Sequence, residues 1–121
     1  MTAWSQKYPV RDESGATAAR HVRALLETLL PARADDAHEL ARELFAWALA
    51  RSRASGKLNL VTMIERTPSG LKVRFELHYP DDLPSADTRQ AWSAMSTLAD
   101  AYGECPTRRG RMTYGELWES R

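Results

Sequence analysis

The stretch DDAHELARELFAWALARSR, Asp35 to Arg53, decides how the rest of the chain is arranged. Apolar residues recur at Ala37, Leu40, Ala41, Leu44 and Ala48, and Phe45 and Leu49 widen the stripe. That spacing predicts one amphipathic helix laid against a core. Glu43 and Trp47 stand four residues apart, so they share one edge of the stripe. Asp35 or Asp36 can cap the helix and suits its positive end, and Gly56 can close it in the left-handed region.

Working outward, Ala16 to Leu30 repeats the pattern. Val22, Leu25, Leu26, Leu29 and Leu30 fall on one side, Arg20, Arg23 and Glu27 on the other, and Pro31 stops the helix. Trp4 to Val10, with its aromatics and proline, predicts an edge strand.

On the far side, Leu58 to Arg66 favours a strand that is apolar on both faces at its centre. Thr67-Pro68-Ser69-Gly70 has the order of a type I turn. Leu71, Val73, Phe75, Leu77 and Tyr79 then alternate with Lys72, Arg74, Glu76 and His78. One face of that strand is predicted buried and the other wet. After a loop at Pro80 to Pro84, a third helix capped by Ser85 or Asp87 is expected to turn Ala91, Trp92, Met95, Leu98, Ala99 and Tyr102 inward and to end at Gly103. Glu104 to Thr107 and Arg111 to Trp118 read as two short strands about Arg108-Arg109-Gly110. The order β α α β β α β β implies an α/β two-layer sandwich: a mixed, mostly antiparallel sheet covered on one face by three helices.

With 121 residues, 43% of them hydrophobic and 27% charged, the chain is expected to be one domain. A net charge of +1 gives no global electrostatic reason to expect nucleic acid or an anionic membrane as partner. Cys105 is the single cysteine, so a Cys-based zinc cluster is excluded and a reducing setting fits. No apolar run approaches the roughly 20 residues of a membrane span. MTAWSQKYPV lacks a signal-peptide core, and the chain is expected in the cytoplasm. His21, His38 and His78 have no metal-ligand spacing, and Ser55-Gly56-Lys57-Leu58 lacks the first glycine and final Ser/Thr of a phosphate loop. Arg108, Arg109 and Arg111 make a local basic tip, which reads first as a solvated hairpin and second as a contact for an acidic partner.

The element order, together with WSQKYPVRDESGATAARHVRALL, DDAHELAREL, ARSRASG, the strand pair joined by TPSG and LADAYGECPTRRGRMTYGELW, resembles the GHKL (Bergerat-fold) ATPase superfamily. It is similar in particular to small bacterial ATP-binding regulators of the anti-sigma-factor serine kinase kind. The resemblance runs over nearly the whole chain and implies one GHKL-like domain over residues 1–121. Such domains hold their nucleotide with a helix motif E-L-x-x-N-A, a D-x-G-type segment after a strand and a glycine-rich segment before the last helix.

Here the helix reads Glu43-Leu44-Phe45-Ala46-Trp47-Ala48. The glutamate that would serve as base is present, but Trp47 replaces the Mg²⁺-binding asparagine and offers no oxygen. The adenine-reading aspartate falls near Leu77, and the glycine-rich segment near Arg89-Gln90-Ala91, where no glycine lets backbone amides approach a phosphate. The expectation is a degenerate member with no nucleotide or metal cofactor and a vestigial Glu43.

The resemblance then implies a regulator that binds another protein, a sigma factor, an anti-anti-sigma-like antagonist or another regulator, and that pairs with its own copy. Two surfaces are expected to carry binding: the edge at Glu43 and Trp47, and the polar face at Lys72, Arg74, Glu76 and His78. The rival expectation is an active ATP-dependent Ser/Thr kinase whose motifs are shifted.

Overall fold

A computed structural model describes residues 2–9, 14–55, 59–79 and 89–119. Strand β1 (Thr2–Pro9) is followed by helix α1 (Ser14–Leu29). The backbone of Leu30 leaves the helical region, with φ −153° and ψ 65°, and Pro31–Arg33 form a short 3₁₀ turn. Helix α2 (Ala34–Ser55) starts directly from that turn, with Asp35 and Asp36 in its first turn against the positive end of the helix. The chain continues through β2 (Asn59–Thr67), β3 (Gly70–Tyr79), helix α3 (Arg89–Leu98), β4 (Ala101–Pro106) and β5 (Arg111–Trp118).

The strands form one five-stranded sheet in the order β1-β2-β3-β5-β4. Every neighbouring pair is antiparallel, so the sheet is not mixed as expected. Strand β1 lies at an edge, as its proline suggested.

The alternation in β3 is realised residue by residue. Val73, Phe75, Leu77 and Tyr79 are buried, and the residues between them are half-exposed. Register aligns Leu60, Thr62 and Ile64 of β2 with Leu77, Phe75 and Val73, and Thr113, Gly115 and Leu117 of β5 with the same three. Of these, Leu60, Ile64, Val73, Phe75, Leu77 and Leu117 join Val22 and Leu26 of α1, Leu40, Leu44, Phe45 and Trp47 of α2 and Met95 of α3 in one core. Among the described residues the helices therefore cover one face only, and no element covers the other. Gly70 closes the Pro68-Ser69 turn at φ +125°, where a side chain would be strained and would collide with Glu119.

One boundary differs from the expectation. Helix α3 ends at Leu98, and Tyr102 and Gly103 belong to β4, with Tyr102 41% exposed rather than in the core. Pairing with β5 from Ala101 onward outweighs the helical spacing of Met95, Leu98, Ala99 and Tyr102. Gly56, the Pro80–Pro84 loop and the caps Ser85 and Asp87 lie outside the described residues.

Candidate functional site

On the open face, strand register sets Lys72, Arg74, Glu76 and His78 beside Trp118, Glu116, Tyr114 and Met112 of β5. On the other side they lie beside Glu65, Met63 and Val61 of β2 and Asn59 at its start. The centre is Glu116. One of its carboxylate oxygens accepts hydrogen bonds from Lys72 Nζ at 3.2 Å and Arg74 Nη1 at 2.8 Å. The other accepts from Trp118 Nε1 at 3.1 Å.

Arg74 also donates through Nε to Glu76 at 2.8 Å, and its guanidinium lies 4.1 Å from the centre of the Tyr114 ring. The second oxygen of Glu76 meets His78 Nε2 at 3.0 Å. Arg74 is thus fixed by two carboxylates and an aromatic face, a set of contacts that a lysine could not reproduce.

The charges hold one another in their ionised forms. Burial would raise the Glu116 carboxyl, but bonds from Trp118, Arg74 and Lys72 outweigh it and the group titrates below the usual carboxylate range. Glu76 is lowered chiefly by the hydrogen bond from His78, against burial, with Arg74 adding to it. Burial opposes the charged form of Arg74, yet its bonds to Glu76 and Glu116 hold its pKa above the ordinary value. Beside this network Trp118 is 38% exposed, Met63 and Tyr114 are half-buried, and a cleft of about 230 Å³ opens between Trp118, Lys72 and the Thr67–Leu71 turn.

The other expected surface is arranged differently. Trp47 is 2% exposed and packs edge-on against Tyr79, with ring centres 6.0 Å apart. It belongs to the core, so it offers no surface to a partner. Glu43, one turn earlier, is half-buried and lies 3.5 Å from Arg42 on its own helix. Glu43 and Trp47 stand on the helical layer, whereas Lys72, Arg74, Glu76 and His78 stand on the opposite face of the sheet. The two sets do not meet in one site.

Leu77 is fully buried in the core. Arg89, Gln90 and Ala91 make the first turn of α3, and their side chains lie outside the described residues. His21 packs edge-on against Trp4, away from His38 on α2 and His78 on β3. Arg108 and Arg109 are exposed at the hairpin tip, but Arg111 turns back to pair with Glu104. Among the described residues no group of three His, Cys, Asp or Glu is placed to hold a metal ion, and no helix is long and apolar enough to cross a membrane.

Sequence reasoning missed Glu116, Tyr114 and Trp118. Their alternation with Thr113, Gly115 and Leu117 was present in RMTYGELW, but only the β3–β5 register shows that they complete the Lys72–His78 row. No known protein family matches the chain, and no curated protein matches it.

Proposed function

We propose that this chain is a non-catalytic regulatory module, a pseudo-ATPase of the anti-sigma-kinase kind, which acts in bacterial transcriptional or signalling control by binding another protein. The observation that carries the reading is Trp47. It stands where the resembled motif has its metal-binding asparagine, and its ring is packed into the core against Tyr79. An indole in that position supplies no ligand for Mg²⁺ and fills space beside the sheet. Leu77, near which the adenine-reading aspartate of the resembled motif would fall, is likewise a core residue. The cytoplasm is the proposed compartment.

The binding surface proposed is the open sheet face. Its charges are prepaired and held rigid around Glu116, and Trp118 is exposed at its margin. Aromatic and arginine side chains in such settings are the usual energetic anchors of interfaces. The partner class is a sigma factor or the antagonist that releases one.

Calorimetry with ATP and ADP in Mg²⁺ tests the first half: no saturable heat is expected, and micromolar Mg²⁺-dependent binding would replace this reading with an active kinase. Pull-down of purified sigma factors by wild type and Trp118→Ser tests the second. Capture is expected with the wild type and weakened by the substitution.

A further inference from the structure

The cleft beside Trp118 lies where the β2–β3 turn meets the end of β5, and Thr67, Leu71, Lys72, Glu116, Trp118 and Glu119 are among its walls. Two of these side chains are fixed in place. The backbone N–H of Trp118 donates to Asp100 at 2.8 Å and its indole N–H to Glu116 at 3.1 Å, so the ring is held in one orientation while 38% exposed. Glu119 is tied to Leu71 in both directions: its N–H donates to the Leu71 carbonyl at 2.9 Å, and one carboxylate oxygen accepts the Leu71 N–H at 2.7 Å. Gly70 makes room for this, since a Cβ there would stand 2.5 Å from that oxygen. Among the described residues no donor reaches the other oxygen of Glu119.

Charge and size narrow what the cleft can hold. Its walls carry the cation Lys72 against the carboxylates of Glu116 and Glu119. Lys72 is already shared between Glu116 at 3.2 Å and Glu65 at 3.8 Å, so it does not offer itself to an anion. Glu119 leaves an excess of negative charge beside an aromatic face. A volume of about 230 Å³ falls below the roughly 300–1,000 Å³ of pockets for whole small molecules and suits a single side chain. A guanidinium answers both features at once: it stacks on an indole and is planar enough to donate to a carboxylate from the same position. Half-buried Leu71 supplies an apolar wall for its methylene stem. The chain already contains this combination at Arg74, which lies 4.1 Å from the centre of the Tyr114 ring and donates to Glu116 at 2.8 Å.

We propose that this cleft takes an arginine side chain of the partner protein, its guanidinium stacked on the Trp118 indole and donating to the second oxygen of Glu119. The proposal rests on the reading of the open face as a protein-binding surface, and not on the partner's being a sigma factor. Trp118 and Glu119 are held by their own bonds before any partner arrives, so binding orders only the incoming side chain.

N-acetyl-arginine methylamide is the probe, set beside its citrulline analogue, which keeps the shape and loses the charge. The Trp118 indole N–H is followed in nitrogen–proton correlation spectra and assigned by its loss in Trp118→Phe. The arginine amide should shift it saturably with a Kd on the order of 1 mM, and the citrulline amide should not. Glu119→Gln keeps an oxygen for the Leu71 N–H and should weaken the arginine amide about fivefold, with the rest of the spectrum unchanged. No saturable shift, an equal response to citrulline, a response undiminished in Glu119→Gln, or a shift given by inorganic phosphate instead would each overturn the proposal. Capture of a sigma factor with no response to the arginine amide overturns this proposal and spares the functional one; a charge-dependent response to the amide with no capture does the reverse.

Discussion

Arg33 and Asp100, 67 residues apart in the chain, meet at 3.1 Å with side chains only 8% and 9% exposed. Arg33 sits in the turn between α1 and α2 and also reaches Asp36 at 3.4 Å and the Leu98 carbonyl at 3.5 Å. The same oxygen of Asp100 accepts the Trp118 N–H at 2.8 Å. One ion pair thereby ties the helix–helix joint to the end of α3 and the last residue of β5. Removing one partner of a buried pair costs about 3–5 kcal/mol where the other charge is left unpaired, and Arg33 keeps Asp36, so the loss of Asp100 falls at the low end of that range. Asp100→Ala should lower the urea midpoint accordingly, and Arg33→Met combined with Asp100→Ala should cost less than the two single changes summed. An unchanged midpoint for Asp100→Ala would mean that the pair contributes nothing.

This clamp also marks where reading the sequence stops. Period-2 alternation made β3 legible, and 3.6-residue spacing placed Leu40, Leu44 and Phe45 on the stripe of α2, because both are local patterns that burial enforces; Trp47, read at the stripe's edge as a binding surface, is in the core instead. Arg33 and Asp100 carry no local pattern; only the fold brings them together. The same holds for Glu116, which a reader of RMTYGELW has no reason to join to Lys72 and Arg74 until the β3–β5 register is known. At Tyr102 the local pattern itself misled. Its helical spacing was sound, and a tertiary ladder overrode it.

Trp47 is a stability residue under the present geometry. Truncating a buried Trp costs about 3–5 kcal/mol, so Trp47→Asn should destabilise the protein by roughly that amount in urea titrations. It should not bring ATP binding with it, since Leu77 stays in the core. Nucleotide affinity recovered by this single change in calorimetry would contradict the pseudo-ATPase reading.

The open-face network makes stability sensitive to acid. Glu116 and Glu76 titrate below their ordinary value of 4.5 in the folded chain. A carboxylate with a depressed folded pKa contributes stability that is present above the unfolded value and is lost as pH falls through the folded one. The urea midpoint should therefore hold from neutral pH down to about 5 and drop below 4.5. Glu116→Gln should lower stability at pH 7 by about 1–3 kcal/mol, by weakening the bonds from Lys72 and Arg74. It should also flatten the acid slope. A variant whose midpoint falls in parallel with wild type across that window would exclude Glu116 as a source of the slope.

Tyr79 predicts a second, alkaline transition of opposite sign. Its hydroxyl donates to Glu104 and shares a 2.8 Å bond with Thr113, beneath the edge of Trp47. Burial, with the hydrogen bond to Glu104 next, pushes its pKa up to about 12 from the ordinary 10.0. The folded state thus holds this proton more tightly than the unfolded state. Stability from the neutral phenol is complete below pH 10 and declines as pH rises toward 12. Midpoints measured from pH 8 to 11.5 should fall by an amount on the order of 1–2 kcal/mol across the upper part of that range. Tyr79→Phe loses about 1 kcal/mol at pH 8, since Glu104 keeps Arg111 but Thr113 loses its partner. The same variant should lose most of the alkaline decline, because phenylalanine has no proton to give up. If its midpoint fell with pH as steeply as that of wild type, the decline would belong to other groups, and Tyr79 would not be held neutral by its contacts.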